Sequence, residues 1–255
     1  MRTSTTISTV SVAITLFVWW RLTAGAMPVL EPMSLPSPRE TWSAVRQIAT
    51  DGYSGSVLWG HLAASTWLVL RGFVLALVLG LALGLSMSLS SAARDLLMPI
   101  FSFVRPVPPL AWIPLALLWL GLGDGSKLLV ITLAALIPVV INTLMGVQQI
   151  DRSLLAAARV LGARRLVWLL HVIVPGALPH ILVGVRLAMQ TCWTVIVAAE
   201  LLGAVRGVGK VLATAKEDVY PGMVLVGMIA VALLGIFTSM VLAWGEKRAA
   251  PWTRA

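Results

Sequence analysis

The sequence has little charge, a single cysteine and no recognisable nucleotide- or metal-binding motif. Only 11% of its 255 residues are charged, less than half of the roughly 25% usual in soluble domains, which excludes an ordinary cytosolic enzyme. Cys192 stands alone, so the chain has neither an intrachain disulfide nor a cysteine metal cluster. It also lacks the G-x-x-x-x-G-K-[S/T] loop that cradles nucleotide phosphates, and H-E-x-x-H is absent.

Apolar residues dominate instead. They make up 59% of the chain, and the mean hydropathy is +0.94, which predicts an all-α, multi-pass membrane protein. The net charge is +9, and the basic residues are scattered between apolar stretches. This distribution is typical of cytoplasmic loops and of contacts with lipid headgroups, and it does not favour nucleic-acid binding. We predict six transmembrane helices, at residues 3–20, 72–93, 96–123, 128–147, 181–202 and 223–244.

The chain divides into four segments. Residues 1–26 are predicted to be a retained first transmembrane helix, with Trp19 and Trp20 at the membrane boundary. A cleaved signal peptide is the alternative, because Ala24-Gly25-Ala26 matches a cleavage site. Residues 27–65 are polar and proline-rich, which predicts an extramembrane loop with a short surface helix over 41–48. Residues 66–250 hold the other five spans, and 251–255 form a tail.

The third predicted span is interrupted by prolines. Pro106, Pro108 and Pro109 follow Arg105 and remove backbone donors from the middle of an apolar stretch. Backbone left unpaired at membrane depth is tolerated only where protein or water covers it. We therefore predict a broken helix that lines a cavity, with two membrane-edge segments as the alternative. In the second span, the G-x-x-x-G step of Gly80 and Gly84 predicts close contact with another helix.

Residues 151–179 form the most informative connection. Leu154, Leu155, Ala158 and Leu161 recur at helical spacing, and Gly162 marks a helix end. Small residues on such a helix allow it to enter a groove on another protein. The alternative is an amphipathic helix lying on the bilayer.

This segment resembles the EAA loop of ABC importer permeases, whose pattern is E-A-A-x-x-x-G-x(9)-I-x-L-P. Ala157, Ala158, Gly162 and Pro175 fall in register, and Ala156 replaces the glutamate of the pattern. The Arg105–Pro114 run and residues 175–179, 184–187, 197–201 and 207–209 resemble the taurine, alkanesulfonate and nitrate group of these permeases. The likeness covers roughly residues 60–250, and its taurine branch looks nearest.

The resemblance implies a type I ABC importer permease fold and a cytoplasmic loop at 151–179. It implies a bacterial inner-membrane homodimer that passes a small organic anion, such as taurine or another sulfonate, into the cytoplasm. Two cytoplasmic ATP-binding subunits would bind ATP and Mg²⁺, and a periplasmic or lipid-anchored solute-binding protein would deliver the solute. Both termini would be cytoplasmic. The residues expected to couple to the ATPase are Leu154, Leu155, Ala156, Ala157, Ala158, Arg159, Gly162 and Pro175.

Charges within the predicted spans complete the list of candidate site residues. A charge facing lipid at a helix centre costs about 2.5–3.5 kcal/mol, so such residues face protein or water. We expect Arg186 to extend toward the headgroups. Arg105 either favours an anion in the path or pairs structurally with Glu200. The residues predicted to line the path are Arg105, Pro106, Pro108, Pro109, Trp112 and Glu200.

Two other classes of protein compete with this interpretation. A membrane protease is disfavoured because the G-x-S-G at Ser54 has no histidine in a later predicted span, and the G-x-G-D at Asp124 lacks a second aspartate within a span. A self-sufficient secondary transporter would also use broken helices, but it would not need the 151–179 segment. Nitrate, bicarbonate or another small solute is the alternative to a sulfonate.

Overall fold

A computed structural model describes residues 2–24, 35–201 and 203–251. The regular elements in these ranges are helices, and the predicted all-α class is confirmed. A 3₁₀ turn at Pro109–Trp112 and a π-helical turn at Leu169–Ile173 interrupt them. The α-helices are α1 Arg2–Ala24, α2 Pro38–Thr50, α3 Leu58–Leu89, α4 Ser91–Val104, α5 Ile113–Leu120, α6 Asp124–Gln148, α7 Arg152–Val160, α8 Arg165–Trp168, α9 Val174–Leu201, α10 Val208–Glu217 and α11 Pro221–Ala249.

Among the described residues, four helical runs are long and apolar enough to cross a membrane. They are α3, α6, the run Leu166–Leu201 that ends in α9, and α11. The segments α4 and Pro109–Leu120 add a fifth crossing if they count as one span, bent by 89°. The multi-pass class is confirmed. The sixth span stays a prediction, because the apolar part of α1 that the structure describes, Val10–Thr23, is short.

The boundaries of α3 differ from the prediction. The helix begins at Leu58, inside the segment predicted to be a loop, and it carries Arg71 before the uncharged stretch. It ends at Leu89 rather than Ala93, because Ser90 adopts an extended conformation and its hydroxyl accepts the Ala93 N–H to start α4. The predicted loop is therefore shorter at its C-terminal side. Its residues 27–34 lie outside the described part of the chain, as do residues 25–26 of the preceding segment, with part of the Ala24-Gly25-Ala26 motif, and 252–255 of the tail.

The chain forms two compact units, and the first comprises residues 1–65 and 205–232. Here α2 begins with a capping box, in which Ser37 and Glu40 satisfy each other's backbone N–H groups. One face of α2 is buried, so the helix does more than lie on a surface. Its apolar residues share a core with α10 and the start of α11: Ala44, Ile48, Val211, Ala215, Met223 and Val226.

The second unit comprises residues 66–204 and 233–255, and glycines bring its helices together. A Cβ atom at Gly80 would lie 2.7 Å from Val139 on α6, and one at Gly84 would lie 2.6 Å from Thr143. The close approach predicted from the G-x-x-x-G step is confirmed. Since residue numbers rise together along both contact lines, α3 and α6 run parallel.

This parallel arrangement determines the course of residues 90–123. The chain leaves α3 at one end of the α3–α6 pair and starts α6 at the opposite end. The broken segment α4–α5 must therefore travel the length of the pair, as a crossing span does and a short re-entrant loop does not.

The remaining helices of the second unit alternate in direction. Gly146 on α6 lies against Ala177 of α9, whereas Gly184 of α9 lies against Asn142, so α6 and α9 are antiparallel. The indole of Trp193 donates to Thr238 at 2.9 Å, and Arg186 bonds Glu246. The helices α9 and α11 are thus antiparallel too. It follows that α7 and the C-terminal end of α11 lie at the same end of this unit.

Candidate functional site

The predicted coupling helix is α7, and side-chain and backbone caps define both of its ends. At the N-terminus the Asp151 carboxylate accepts the Ser153 N–H at 2.8 Å, a standard N-cap. This bond and a weaker one to the Ser153 side chain lower the pKa of Asp151. The cap is therefore charged at neutral pH.

Gly162 ends α7 in the way its sequence position predicts. Its φ of +68° is left-handed, a conformation that glycine adopts without a Cβ penalty. The Ala163 N–H reaches back to the Ala158 carbonyl at 3.1 Å, which is the long bond of a Schellman motif. The turn is thus fixed by the backbone and directs the chain away from α7 into α8.

The two faces of α7 differ in exposure. Ala158 is buried, and Leu155 packs on a core formed by Ile150, Ile173, Ala177 and Ile181. On the other side Ala156 and Ala157 are exposed, and Leu154 is 58% exposed. The predicted apolar stripe is therefore divided, with part of it holding α7 to the bundle and part of it open.

The C-terminal end of α7 carries an exposed apolar pair. Val160 is 88% exposed and Leu161 is 84% exposed; Arg159 precedes them in the last turn. We did not predict Val160 as a site residue, because the helical spacing of apolar residues marks a buried stripe and cannot identify a residue outside it. Exposed apolar side chains on a capped helix are suited to contact with another protein.

The chain returns from α7 into the bundle through α8 and the π-helical turn. Pro175 follows the π-helical turn inside the continuous run Leu166–Leu201, where it has no N–H to donate to the preceding turn. Just beyond it, α6 and α9 are in close contact, since a Cβ at Gly146 would lie 2.8 Å from the Ala177 carbonyl oxygen. The segment 151–179 is therefore attached to the tightly packed ends of two long helices.

The proline break lies at its predicted position, after Arg105. Pro106 and Pro108 are exposed, whereas Pro109 and Trp112 are half-buried in the 3₁₀ turn that packs against α6 and α9. The structure thus brings the break against α9, the helix that carries Glu200. The Glu200 side chain is buried, with 2% of the residue exposed.

Two of the charged residues in the predicted spans, Arg105 and Arg186, have surroundings that the sequence did not predict. Arg105 is exposed at the end of α4, and the ion pairs of the described residues do not include it. The Arg186 guanidinium bonds Glu246 near the C-terminal end of α11, and its extension toward the headgroups stays a prediction. Sequence spacing could not reveal this pair, since the two residues lie 60 positions apart on different helices.

The polar residues of the two protease-like motifs make structural contacts. Ser54 Oγ shares a hydrogen bond of 2.8 Å with Thr214 Oγ1, and Asp124 pairs with Arg71 and Lys127. The prediction that later spans lack histidine was wrong, because α3 contains His61 and the run Leu166–Leu201 contains His171 and His180. Within the described ranges, no group of three or more His, Cys, Asp or Glu side chains is placed to hold a metal ion.

The long parallel and antiparallel apolar helices, with a broken crossing between them and a capped helix at one end, are the architecture of a multi-pass membrane protein. The comparisons identify the family: residues 76–251 match the "binding-protein-dependent transport system inner membrane component". The chain belongs to this family and is the membrane subunit of an ATP-driven importer, with ATP hydrolysis in a separate subunit.

Curated relatives are similar over nearly the full chain. The taurine transport system permease protein TauC of Escherichia coli K12 is 38% identical over 97% of this chain and 90% of its own length. The putative aliphatic sulfonates transport permease protein SsuC of the same organism is 41% identical over 85% of this chain and 80% of its own. The nitrate import permease protein NrtB of a Synechocystis strain is 32% identical, over 95% and 88% respectively.

Solved structures confirm the fold class. A chain of an amino acid ABC transporter crystallised with histidines superposes with a TM-score of 0.62 and 17% identity, covering 74% of this chain and 92% of that chain. A chain of the inward-facing MetNI methionine ABC transporter gives a TM-score of 0.58 and 20% identity, over 84% and 98%. The predicted type I importer permease fold therefore describes this chain.

Proposed function

We propose that this permease imports a sulfonate, with taurine as the first candidate, across the bacterial cytoplasmic membrane. The similarity to TauC and SsuC supports a sulfonate, and the lower identity to NrtB makes nitrate the second candidate. A sulfonate is a small anion with three acceptor oxygens, which a guanidinium can bind through two parallel donors.

The helix α7 is proposed to transmit the work of the ATPase. The observation that carries this proposal is the exposed Val160–Leu161 pair at the end of α7, whose other face packs through Leu155 on the core of Ile150, Ile173, Ala177 and Ile181. A push on such a helix would be passed to the π-helical turn and the start of α9. Leu154, Ala156, Ala157 and Arg159 would form the rest of the contact, while Leu155, Ala158, Gly162 and Pro175 hold the helix in place.

The assembly we propose contains two copies of this chain, two cytoplasmic ATP-binding subunits that hold ATP and Mg²⁺, and an external solute-binding protein. With α7 in the cytoplasm, the C-terminal end of α11 lies there as well, because both lie at one end of the second unit. A spanning α1 would then place the N-terminus on that side. Residues 27–65 and 207–217 would meet the solute-binding protein outside the membrane.

The translocation path is proposed to pass the proline break. Arg105 would attract the anion, and Pro106, Pro108, Pro109 and Trp112 would shape the path beside α9. Arg105 is exposed and is not part of the ion pairs described above, so its guanidinium is available to an anion. A structural Arg105–Glu200 pair is accordingly the weaker alternative.

The coupling role is tested by replacing the exposed pair with Val160→Lys and Leu161→Lys. Lysine suits a helix C-terminus, so α7 should stay folded. We expect the tagged wild type to co-purify with an ATPase from detergent-solubilised membranes and the double variant to lose it. Val205→Lys, at an equally exposed apolar position outside α7, is the matched control. If the wild type purifies alone and still moves solute in liposomes, the chain works as a secondary transporter and the proposal fails.

The substrate is tested in liposomes that contain the co-purified ATPase and the binding protein. Taurine, a linear alkanesulfonate and nitrate are offered at equal concentrations, and we expect uptake of the two sulfonates to exceed that of nitrate. Arg105→Lys should reduce sulfonate uptake without reducing assembly, whereas Arg21→Lys, at an exposed position of α1, should change neither. Preferential uptake of nitrate would contradict the sulfonate proposal and leave the coupling role standing.

A further inference from the structure

A groove outside the proposed path lies between α3 and α6. It has a volume of about 400 Å³ and is apolar except for one guanidinium, that of Arg71. The apolar lining consists of Trp67, Leu70, Val74, Leu75 and Leu128. An apolar groove with a single cation in its lining matches an amphiphile that has an anionic head and a hydrocarbon tail.

The charges beside this groove are unbalanced. Arg71 Nη2 lies 3.1 Å from Asp124 Oδ2, and Lys127 Nζ lies 3.6 Å from Asp124 Oδ1. One carboxylate therefore serves two cations, and the Lys127 side chain is only 7% exposed. The Nε of Arg71 is buried and has no hydrogen-bond partner. The Arg71 side chain is 37% exposed, so the site has accessible excess positive charge that an anion would balance.

The position of Arg71 along α3 places it at the edge of the hydrocarbon layer. From Gly72 to Leu89 the helix is uncharged, a length of about 27 Å at 1.5 Å per residue. The uncharged part of α6 after Lys127 is about 30 Å long. Both match the roughly 30 Å hydrocarbon core, so Arg71 and Lys127 lie at the depth of lipid headgroups.

Trp67 supports the same depth. It precedes Arg71 by one turn of α3, and the Arg71 guanidinium carbon lies 5.7 Å from the centre of its ring. Tryptophan is enriched at the boundary between membrane and water. The groove therefore starts at the headgroup layer and follows α3 into the hydrocarbon.

We propose that this groove binds an anionic phospholipid. The phosphodiester accepts hydrogen bonds from the exposed part of the Arg71 guanidinium, and Lys127 adds charge close by. One acyl chain lies along Val74, Leu75 and Leu128. A free phosphate ion would use the same donors but would leave the apolar groove unfilled, and this difference allows the two sources to be separated.

Native mass spectrometry of the detergent-purified chain tests the proposal. Phosphatidylglycerol and phosphatidylcholine with identical acyl chains are added in turn, and the wild type should retain the anionic lipid preferentially. Arg71→Gln should lower its retention about tenfold, the loss expected for one charged hydrogen-bonded contact. Arg46→Gln makes the same change of charge on exposed α2 and should have no effect.

Two further arms remove the remaining ambiguities. Leu75→Trp fills the groove and keeps all three charges, so it should also reduce retention even if Arg71→Gln fails to fold. Inorganic phosphate and glycerol phosphate should not displace the lipid at equal concentration. Any one of four results would overturn the proposal. These are equal retention of the two lipids, equal retention by Arg71→Gln and Arg46→Gln, unchanged retention by Leu75→Trp, and displacement of the lipid by inorganic phosphate.

Discussion

His61 Nδ1 accepts a hydrogen bond of 3.1 Å from the backbone N–H of Gly207, which lies 146 residues further along the chain. An N–H can only donate, so the ring carries its proton on Nε2 and donates it to the Tyr53 carbonyl at 2.9 Å. Ser65 Oγ accepts the next backbone N–H, that of Val208, at 2.9 Å. Residues of α3 thus cap the start of α10, which has no side-chain cap of its own.

Replacing His61 with phenylalanine should loosen the start of α10. The substitution leaves the buried N–H of Gly207 without its partner, at a cost of about 1–3 kcal/mol, whereas the Tyr53 carbonyl still accepts the Ser56 N–H. We expect hydrogen–deuterium exchange at residues 207–211 to become at least about tenfold faster. Ser65→Ala should speed exchange at Val208 in the same way.

His171→Phe is the control, since His171 is exposed. It should leave exchange at residues 207–211 unchanged. If His61→Phe leaves these amides as protected as in the wild type, the cap from α3 contributes nothing to the stability of α10.

The features that the sequence predicted correctly are those with a local cause. Three prolines cannot donate within a helix, so the break after Arg105 was evident, and Gly162 could adopt a left-handed turn at low cost. The spacing of Gly80 and Gly84 predicted a close helix contact, but only the structure identifies α6 as the partner helix. The bonds from His61 to Gly207 and from Arg186 to Glu246 join distant parts of the chain, and no local pattern encodes such pairings. The start of α3 was missed because Arg71 interrupts the apolar run but not the helix.

A methyl group at Gly84 should destabilise the packing of α3 on α6. The new Cβ of Gly84→Ala would lie 2.6 Å from the Cβ of Thr143 and 3.3 Å from the Val140 carbonyl oxygen. Such overpacking costs about 1–3 kcal/mol, and we expect a lower Tm when unfolding in detergent is followed by circular dichroism.

Gly245→Ala provides the matched control for this prediction. Gly245 lies inside α11, and a Cβ there would have no neighbour within 4 Å. Because alanine favours a helix by about 0.8–1.0 kcal/mol over glycine, this variant should keep or raise the Tm. Equal Tm values for the two variants would show that α3 and α6 can separate freely at Gly84.

The phenol of Tyr53 should resist ionisation while the protein is folded. Burial, followed by the 2.5 Å hydrogen bond that the phenol donates to Asp218, raises the pKa of Tyr53 far above its ordinary value of 10.0. A raised pKa contributes stability that is complete below pH 10 and is lost as the pH rises through the folded-state pKa. In Tyr220→Phe, which leaves Tyr53 as the only tyrosine, tyrosinate absorbance should therefore stay low at pH values just above 10.

Asp218→Asn separates the causes of this pKa shift. Removing the carboxylate removes a hydrogen-bond acceptor and a negative charge, so tyrosinate should form at lower pH in Tyr220→Phe/Asp218→Asn. A folded Tyr220→Phe protein that ionises near pH 10 would contradict the prediction. Denaturant should abolish the difference between the two variants.

The bond between Arg186 and Glu246 should stabilise the contact of α9 with α11. Their side chains are 43% and 27% exposed. Removing one partner of a fully buried pair lowers the free energy of unfolding by about 3–5 kcal/mol. Because this pair is partly exposed, we expect a smaller loss of about 1–2 kcal/mol for either Arg186→Met or Glu246→Met. In a double-mutant cycle followed by denaturant unfolding, the double variant should lose less than the sum of the single losses. The exchanged pair Arg186→Glu/Glu246→Arg should recover part of the stability. Strictly additive losses would show that the two charges act independently.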